Sequence, residues 1–258
     1  MQTTTKGLVI REQSIGESDR LVTLLTADFG LVKAFVRRAN QIKSRLNSAT
    51  TLFAYSEFNL YRTKDAFVVD NAVPIDVFFD LRKDIDRLAL AQYFAQLAYE
   101  MGAEEQPNEE LLRLTLNSLH LLCKGGKELK QIKAVFEFRA LSLGGYMPSI
   151  LACDNCGTYE TDMMYFDTLE GKIYCENCQK TGATLLPKNV ITAVRFICLT
   201  EPTKIFSFSL SKENLDLLSD IAEKYMMSHV QRKLSTLEFY KGLQGWINIT
   251  KHLNLIQF

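Results

Sequence analysis

Residues 52–62, Leu-Phe-Ala-Tyr-Ser-Glu-Phe-Asn-Leu-Tyr-Arg, alternate in polarity along their length. One alternating set of side chains is apolar except for Ser56, and the other set carries Glu57, Asn59 and aromatic rings. Successive side chains of a β-strand point to opposite faces, so the pattern predicts a strand with one face packed inward. This strand is the clearest element of a predicted β-module near the start of the chain.

Four further short strands are predicted around it. The Asp28-Phe29-Gly30 turn signal lies between two of them and indicates a hairpin. Five short strands in so small a module favour a closed barrel, and the OB fold is the commonest five-stranded choice. The four flanking strands are predicted over residues 7–13, 20–26, 31–37 and 66–73.

Charge is distributed unevenly along the chain. The formal net charge is zero, with 30 Lys and Arg against 30 Asp and Glu. Residues 1–65 hold ten basic and six acidic side chains, a net of +4, and no acid occurs between Asp28 and Glu57. This asymmetry predicts a polyanion partner for the β-module. The candidate phosphate-binding residues are Lys33, Arg37, Arg38, Lys43 and Arg45.

The basic stretch and its neighbouring aromatic rings each allow two interpretations. The cations either follow a phosphate backbone or belong to an ordinary solvated loop. The rings either stack on bases or fill the barrel core, and the core is the commoner place for aromatic side chains. The rings in question belong to Phe35, Phe53, Tyr55 and Tyr61.

Helical periodicity begins after Pro74. A helix capped by Asp76 is expected to run to about Met101, where Gly102 ends it. Start and stop signals predict four more helices, over residues 109–124, 129–143, 187–199 and 212–229.

Two Cys-x2-Cys pairs interrupt the helical part, and residues 157–174 separate them. A spacer of 18 residues lies within the range of four-thiolate zinc sites. Two tight turns would supply the four tetrahedral ligands that Zn²⁺ prefers. With no fifth ligand candidate and no nearby histidine, a closed site with one structural zinc ion is predicted. The proposed ligands are Cys153, Cys156, Cys175 and Cys178.

These signals divide the chain into an α+β multidomain arrangement. At 258 residues, with 47% hydrophobic and 23% charged residues, the chain has the size and composition of a globular protein with two modules. The expected organisation is an OB-fold nucleic-acid-binding domain over 1–75, and then a helical domain that a four-cysteine zinc motif interrupts. Its parts cover residues 76–149, 150–182 for the zinc motif, and 183–258.

Motifs for nucleotide binding and hydrolysis are missing from the sequence. Neither G-x-x-x-x-G-K-[ST] nor G-x-S-x-G nor H-E-x-x-H occurs. We therefore expect a protein that is not an enzyme and that has no catalytic residues. Residues 1–6 lack the apolar segment of a secretory signal, and no stretch is long enough to span a membrane. Cysteines spaced for metal binding stay reduced in the cytoplasm, so these features together favour a cytoplasmic protein.

Several stretches resemble the RecO family of recombination mediators. The similarity covers most of residues 7–180, and the Glu-Ser-Asp-Arg and Gly-Tyr-x-Pro motifs with the Cys-x-x-Cys-Gly motif make it fairly specific. In the β-module it rests on Gly7-Leu8-Val9-Ile10-Arg11, Gly16-Glu17-Ser18-Asp19-Arg20-Leu21-Val22, Thr26 to Gly30-Leu31, and Arg37 to Lys43-Ser44-Arg45. Beyond it, the similarity rests on residues 81–99, Phe136-Glu137-Phe138-Arg139, Leu143-Gly144-Gly145-Tyr146-Met147-Pro148 and Cys153-Asp154-Asn155-Cys156-Gly157.

The resemblance implies a specific role. It implies an OB barrel, a helical module with a zinc motif, and ATP-independent binding and annealing of single-stranded DNA. It also implies partners: RecR, and the C-terminal tail of single-stranded DNA-binding protein. Together these would load the recombinase RecA onto coated strands during DNA repair, in the cytoplasm at the nucleoid. One departure is Arg38, where the family usually has glycine; it either stiffens the turn or adds a phosphate contact.

Two alternatives remain beside a DNA-binding mediator. The first is a zinc-stabilised protein-interaction adaptor in DNA repair without direct strand annealing. Its helices would bind an acidic, hydrophobic tail peptide. Helix cations that could meet the carboxylates of such a peptide are Arg113, Lys127, Lys130 and Lys133. The second alternative, a zinc hydrolase or thiol oxidoreductase, needs an open metal position, which four well-spaced thiolates disfavour.

Overall fold

A computed structural model gives the fold, and it describes residues 2–41, 44, 46–63 and 66–254, with side chains as far as residue 245. The chain forms two compact units. The first unit combines Met1–Lys124 with Leu234–Phe258, and the second is Gly125–Lys233. The first unit is therefore discontinuous in sequence.

The first unit contains the predicted five-stranded barrel. Its strands are β1 (Gln2–Ile15), β2 (Asp19–Thr26), β3 (Gly30–Val36), β4 (Tyr55–Arg62) and β5 (Phe67–Asp76). They close in the order β1-β2-β3-β5-β4, and only the pairing of β3 with β5 is parallel. Closure pairs every strand on both sides, so the barrel has no free edge. This confirms the prediction of a closed five-stranded barrel.

The inward face predicted from residues 52–62 is confirmed. Ser56, Phe58 and Leu60 are fully buried in the barrel. Ser56, the one polar residue of that face, donates its hydroxyl to the Ala49 carbonyl at 2.8 Å. A buried hydroxyl is tolerated when it is hydrogen-bonded, and this contact explains why serine fits an apolar row.

Strand β4 starts later than predicted. It begins at Tyr55 rather than Leu52, because Phe53 takes a left-handed φ of +68° and interrupts the alternation. The Phe53 amide donates to the Val9 carbonyl at 2.9 Å, so the chain is tied to β1 at this irregular point. The Phe53 ring is 1% exposed. Of the two interpretations of this ring, the structure supports the one in which it fills the core.

The described residues contain seven α-helices. They are α1 (Leu46–Ala49), α2 (Ile85–Met101), α3 (Glu109–Lys124), α4 (Leu129–Leu143), α5 (Lys188–Leu199), α6 (Lys212–His229) and α7 (Ser235–Asn254). Helix α7 was not predicted. Its Thr236 hydroxyl donates to Gln96 Oε1 of α2 at 2.5 Å, and Gln244 Nε2 donates to Asp86 Oδ1 at 3.0 Å. These contacts join the two sequence segments of the first unit.

Helix α2 has a different cap from the predicted one. Strand β5 continues to Asp76, which pairs with Tyr55 of β4, and α2 begins only at Ile85, so Asp76 does not cap α2. A 3-10 helix (Phe79–Lys83) follows. Asp84 then caps α2, and its Oδ1 accepts from the amides of Asp86 and Arg87 at 3.0 and 3.2 Å. A carboxylate at the N-cap satisfies two of the free amides of the first turn.

The second unit packs three helices with a small sheet. Strands β6 (Met163–Asp167), β7 (Lys172–Cys175) and β8 (Thr184–Pro187) pair antiparallel in the order β7-β6-β8. The ring of Tyr225 on α6 lies 5.7 Å from that of Phe138 on α4 and 5.6 Å from that of Phe166 on β6. These three rings form the centre of its core. Across the part of the chain that the structure describes, no helix combines the length and apolar character needed to cross a membrane.

Candidate functional site

The four cysteine sulfurs predicted to bind metal lie together in the second unit. All four Sγ atoms lie within 4.8 Å of one another, and Cys156 Sγ is 3.6 Å from Cys175 Sγ. Sulfurs bound tetrahedrally to zinc at about 2.3 Å would be roughly 3.8 Å apart. The donor type and the spacing therefore fit a four-thiolate zinc site. The cluster consists of Cys153, Cys156, Cys175 and Cys178.

Two tight turns bring the sulfur pairs together. In the first turn, the Gly157 amide donates to the Cys153 carbonyl at 2.9 Å, and the Cys153 amide donates to the Thr158 carbonyl at 2.8 Å. Gly157 takes a φ of +74°, which glycine adopts without steric cost. The second pair follows β7 in a short 3-10 helix (Glu176–Cys178). The antiparallel hairpin of β6 and β7 lies between the two pairs.

Local hydrogen bonds favour the thiolate at two of the cysteines. Burial raises the pKa of Cys153, but hydrogen bonds from three backbone amides outweigh burial and lower this pKa. These amides belong to Cys175, Cys156 and Asn155. The Thr158 hydroxyl, 3.1 Å from Cys156 Sγ, is the main cause that lowers the pKa of the exposed Cys156 thiol to about 6. Because zinc binds thiolates, both residues are suited to be ligands.

Repulsion from the neighbouring sulfurs favours the protonated thiol at Cys178. The Asn155 side chain donates to Cys178 Sγ at 3.4 Å and lowers its pKa, but the neighbouring cysteine sulfurs raise it to about 12. Four negative sulfurs cannot coexist at this spacing without a cation among them. A divalent ion would remove this repulsion, which is a further reason why the cluster fits a metal.

A buried arginine anchors the first cysteine pair to α5. Arg195 is 6% exposed, and its guanidinium donates to backbone carbonyls on both sides of the pair. Nε donates to the Ile150 carbonyl at 2.7 Å, and Nη2 donates to the carbonyls of Leu151 and Tyr159 at 3.0 and 2.5 Å. Sequence reasoning missed Arg195, because an arginine inside a helical pattern is normally expected on the surface.

Three of the predicted phosphate-binding residues lie among the described residues. Lys33 lies on β3 with its side chain exposed, and its Nζ is 3.3 Å from Glu104 Oε1. Arg37 and Arg38 directly follow β3 and are exposed. The structure therefore places these three cations on one strand and its outgoing turn. Lys43 and Arg45 lie outside the described residues.

Arg38 occupies a conformation that usually belongs to glycine. Its φ is +54°, and its amide donates to Asp19 Oδ1 at 2.8 Å. A left-handed conformation costs a residue with a Cβ about 1–2 kcal/mol. The hydrogen bond to Asp19 offsets part of this cost. The turn thus keeps glycine-like geometry while it presents one more exposed cation.

A second buried arginine ties the turn after β3 and helix α1 to the barrel. Arg20 of β2 is 9% exposed. Its Nη2 donates to Oδ1 of Asn40 at 2.9 Å and of Asn47 at 3.2 Å. Its Nη1 lies 3.3 Å from Thr50 Oγ1 and 3.5 Å from Glu12 Oε2. Arg20 therefore ties Asn40, which follows β3, and Asn47, which lies on α1, to the barrel. The sequence offered the Glu-Ser-Asp-Arg motif as a signal but not this role.

The four candidate stacking rings differ in how deeply they are buried. Phe53 belongs to the core and cannot reach a base. Phe35 is 38% exposed, and Tyr55 and Tyr61 are half-buried. Burial raises the pKa of Tyr55, so its hydroxyl remains protonated at neutral pH. Phe35 lies on the same strand as Lys33, and it is the ring best placed beside the basic residues.

The cations predicted to receive a tail peptide are not all available. Lys133 is 3% exposed, and its Nζ lies 2.8 Å from Glu137 and 2.9 Å from Glu223, so its prediction as a peptide contact is wrong. Lys130 pairs with Asp216 at 2.6 Å. A buried lysine needs such partners, because an uncompensated buried charge is costly. The i,i+4 spacing of Lys133 and Glu137 is visible in the sequence, but Glu223 comes 90 residues later, and only the fold shows that this ion pair is buried.

An apolar groove of about 570 Å³ lies elsewhere in the second unit. The rings of Phe196 and Phe208 form one side of it, with centroids 5.9 Å apart. Leu210 and the start of α5 at Lys188 complete its lining. Buried Gln131 donates to the Phe208 carbonyl at 2.8 Å and fixes this segment.

Comparison with known proteins connects both units to one family. The family model described as "Recombination protein O N terminal" matches residues 1–78, and the model described as "Recombination protein O C terminal" matches residues 82–238. The boundary between the matches falls between the barrel and α2.

Curated relatives agree over nearly the full chain. The protein named "DNA repair protein RecO" from Acetivibrio thermocellus is 35% identical over 241 residues, which cover 93% of this chain and 96% of the relative. Proteins of the same name from Caldicellulosiruptor bescii and Dehalococcoides mccartyi strain CBDB1 are 28% and 30% identical, and cover 93% and 84% of this chain and 98% and 85% of their own lengths. With both halves matched by the family models and relatives aligned over most of their length, the chain belongs to the recombination protein O (RecO) family of DNA repair proteins.

Proposed function

We propose that the chain binds single-stranded DNA through the turn and loop after β3. The observation that carries this proposal is the exposure of Lys33, Arg37 and Arg38 on β3 and the turn that directly follows it. Cations held on a strand of a closed barrel and its outgoing turn can contact a phosphate backbone. The proposed contacts are Lys33, Arg37, Arg38, Lys43 and Arg45.

The proposed role is that of a recombination mediator. Strands whose phosphates are neutralised can approach each other, so binding of this kind supports ATP-independent annealing. With RecR as a partner, the protein would load RecA onto strands coated by single-stranded DNA-binding protein, at the nucleoid in the cytoplasm. Family membership and the exposed cations support this role. The proposed zinc ion would be bound by the four-cysteine cluster and stabilise the second unit.

Strand binding is tested with the double variant Arg37→Ala/Arg38→Ala. Five phosphate contacts on a single strand predict a salt slope of about −3.5, and the variant should reduce its magnitude by about 1.4. Annealing of complementary oligonucleotides should slow in parallel. The matched control is Lys212→Ala/Lys224→Ala, which removes two exposed cations of α6. Equal slopes for all three proteins would contradict the proposal.

The adaptor function has one observation in its favour, the apolar groove beside Phe196 and Phe208. We propose that it receives the hydrophobic end of a short acidic tail, such as that of single-stranded DNA-binding protein. Titration of the full chain with a labelled tail peptide tests this. Phe208→Ala should weaken binding at least about tenfold, as expected for loss of a buried aromatic contact. Phe239→Ala, at a phenylalanine 48% exposed in the first unit, should not. Equal affinities would exclude the groove.

A further inference from the structure

Three cations on the barrel are each paired with a carboxylate from one short segment. Residues 100–105, at the end of α2 and just beyond it, supply all three acids. The cations come from three different strands, β1, β3 and β4. The pairs are Arg11 with Glu100 at 3.9 Å, Lys33 with Glu104 at 3.3 Å and Arg62 with Glu105 at 3.1 Å.

The cations line a continuous cleft on the outside of the barrel. Arg11, Thr23 and Lys33 are cross-strand partners in one row over β1, β2 and β3, so the Cα atoms of Arg11 and Lys33 lie about 10 Å apart. Two surface cavities of about 440 and 370 Å³ share Leu21 and Lys33 in their lining. We name the space they form the outer cleft. The lining residues that could contact a nucleic acid are Arg11, Leu21, Lys33, Phe35 and Arg62.

The outer cleft combines cations with a partly exposed ring. Phe35 lies opposite Leu21 in the strand register, at the side of Lys33. Cations spaced along a groove with aromatic rings between them are the usual means of holding single-stranded nucleic acid without sequence preference. The outer cleft therefore has the composition of a polynucleotide site, but its cations already have anionic partners.

The acids are held in place by the backbone. We name residues 102–107 the acidic loop. The Leu31 amide donates to the Ala103 carbonyl at 2.9 Å, and the Asn108 amide donates to the Ala27 carbonyl at 3.0 Å. The loop packs so tightly on Gly30 that a Cβ there would lie 2.1 Å from the Ala103 carbonyl oxygen. The loop is thus seated on the start of β3, which keeps the backbone of Glu104 and Glu105 beside the outer cleft.

The individual ion pairs are weak enough to exchange. The side chains of Lys33 and Glu104 are 54% and 63% exposed, and those of Arg62 and Glu105 are 61% and 76% exposed. Exposed pairs of this kind contribute about 0–1 kcal/mol each. A polynucleotide phosphate can therefore replace the carboxylate. The acid nevertheless lowers the net gain of that contact.

We propose that the outer cleft binds single-stranded nucleic acid, and that Glu104 and Glu105 of the acidic loop occupy its phosphate positions in the free protein. This inference rests on the proposed function, because it assumes the same class of ligand. The acidic loop then limits the affinity of the barrel for bare strands, so that bound strands can be released. Binding through Arg37 and Arg38 does not require the exchange.

The test is the double variant Glu104→Gln/Glu105→Gln, which keeps the size of both side chains. Its affinity for a fluorescently labelled oligothymidylate is measured by anisotropy over a range of salt concentrations. Two released cations should steepen the salt slope by about 1.4 and tighten binding roughly 5- to 25-fold at about 0.1 M salt. Adding Lys33→Ala and Arg62→Ala to this variant should remove the gain.

The matched control is Glu109→Gln/Glu110→Gln on α3. It changes the net charge by the same amount, and it releases Arg113 from Glu109, but neither acid lines the outer cleft. Equal gains in both double variants would mean that only net charge matters, and would overturn the inference. A gain that survives the loss of Lys33 and Arg62 would overturn it as well.

Failure of the inference and failure of the proposed function are distinguishable. If the wild-type chain binds the oligonucleotide but Glu104→Gln/Glu105→Gln binds no tighter than the control, the inference alone fails. If only Glu104→Gln/Glu105→Gln binds, the inference holds and the proposed binding by the wild-type chain is wrong. If neither protein binds even at low salt, both are wrong.

Discussion

At the scale of single residues, Gly30 shows how one missing Cβ determines what packs on the barrel. Its φ is +64°, and a Cβ would lie 2.1 Å from the Ala103 carbonyl oxygen and 2.5 Å from that of Gln106. Gly16 has a similar φ of +59° but open space around it. An alanine at Gly16 would therefore meet backbone strain alone, whereas an alanine at Gly30 would meet both backbone strain and a steric clash.

We expect Gly16→Ala to lower the free energy of unfolding by about 1–2 kcal/mol, the cost of a left-handed alanine. Gly30→Ala should lower it by at least about 3 kcal/mol, because overpacking against fixed backbone carbonyls adds to the strain. Urea unfolding followed by circular dichroism measures both values. Similar losses in the two variants would show that the acidic loop moves away easily, contrary to its seating on β3.

The hydrogen bonds that Arg20 makes could not be predicted from its neighbours in sequence. The motif that contains it was visible as a resemblance to the RecO family. Its partners Asn40, Asn47 and Thr50 come 20 to 30 residues later, and only closure of the barrel brings them to the guanidinium. The cysteine ligands behave differently, because each pair lies on one turn and the spacing alone indicates the chemistry.

At the scale of elements, the turn between β6 and β7 depends on one buried carboxylate. Asp167 Oδ1 accepts from the amides of Leu169 and Glu170 at 2.8 and 3.2 Å, and Lys180 Nζ lies 2.7 Å from Oδ2. Burial raises the pKa of Asp167, but Lys180 and the two amides outweigh burial and lower it. The folded chain therefore binds the Asp167 proton less tightly than the unfolded chain does.

The pH dependence follows from the direction of this shift. The stability that ionised Asp167 provides is complete above the unfolded pKa of about 3.9 and is lost as pH falls through the lower folded pKa. We expect the free energy of unfolding of Asp167→Asn to fall less steeply below about pH 4 than that of the wild type. Loss of metal in acid affects both proteins, so the difference between them isolates Asp167.

Exposed Asp220 on α6 provides the control for this experiment. Asp220→Asn removes the same formal charge from the surface of a helix, so comparing the two variants separates the effect of the Asp167 turn from the effect of net charge. Parallel curves for Asp167→Asn and Asp220→Asn would contradict the assignment of the turn to Asp167.

Element types were predictable, whereas several element boundaries were not. Alternation in residues 52–62 gave the correct buried face, but only the hydrogen bond from Phe53 to Val9 decides where β4 starts. Asp76 and Asp84 are equally good caps by residue type. Asp76 pairs with Tyr55 and belongs to β5, and Asp84 is the N-cap of α2. Such choices are made by contacts that are distant in sequence.

At the scale of the whole molecule, the metal site and the barrel belong to different units. Structural zinc contributes on the order of 10 kcal/mol or more to local folding. We expect Cys175→Ala to lose bound zinc and to unfold residues 150–182, with little change in oligonucleotide binding by the barrel. Zinc analysis and hydrogen exchange of the full chain measure this, and anisotropy checks binding.

Cys123 supplies the control, since it is a half-buried cysteine of α3 outside the cluster. Cys123→Ala should retain its zinc. If Cys175→Ala keeps the metal content and the melting behaviour of the wild type, the cluster does not stabilise this region. Strong loss of oligonucleotide binding in Cys175→Ala would instead connect the metal directly to the strand.

Because α7 belongs to the first unit, cutting the chain once between the two units divides the first unit between two polypeptides. Gly125 and Gly126, both with positive φ, begin the second unit, and the helix that follows residue 233 packs on α2 through Thr236 and Gln96. A single protease cut at the glycine pair would yield two polypeptides, neither of which contains a whole first unit. The halves should therefore stay associated under native conditions and reconstitute one particle when they are expressed separately.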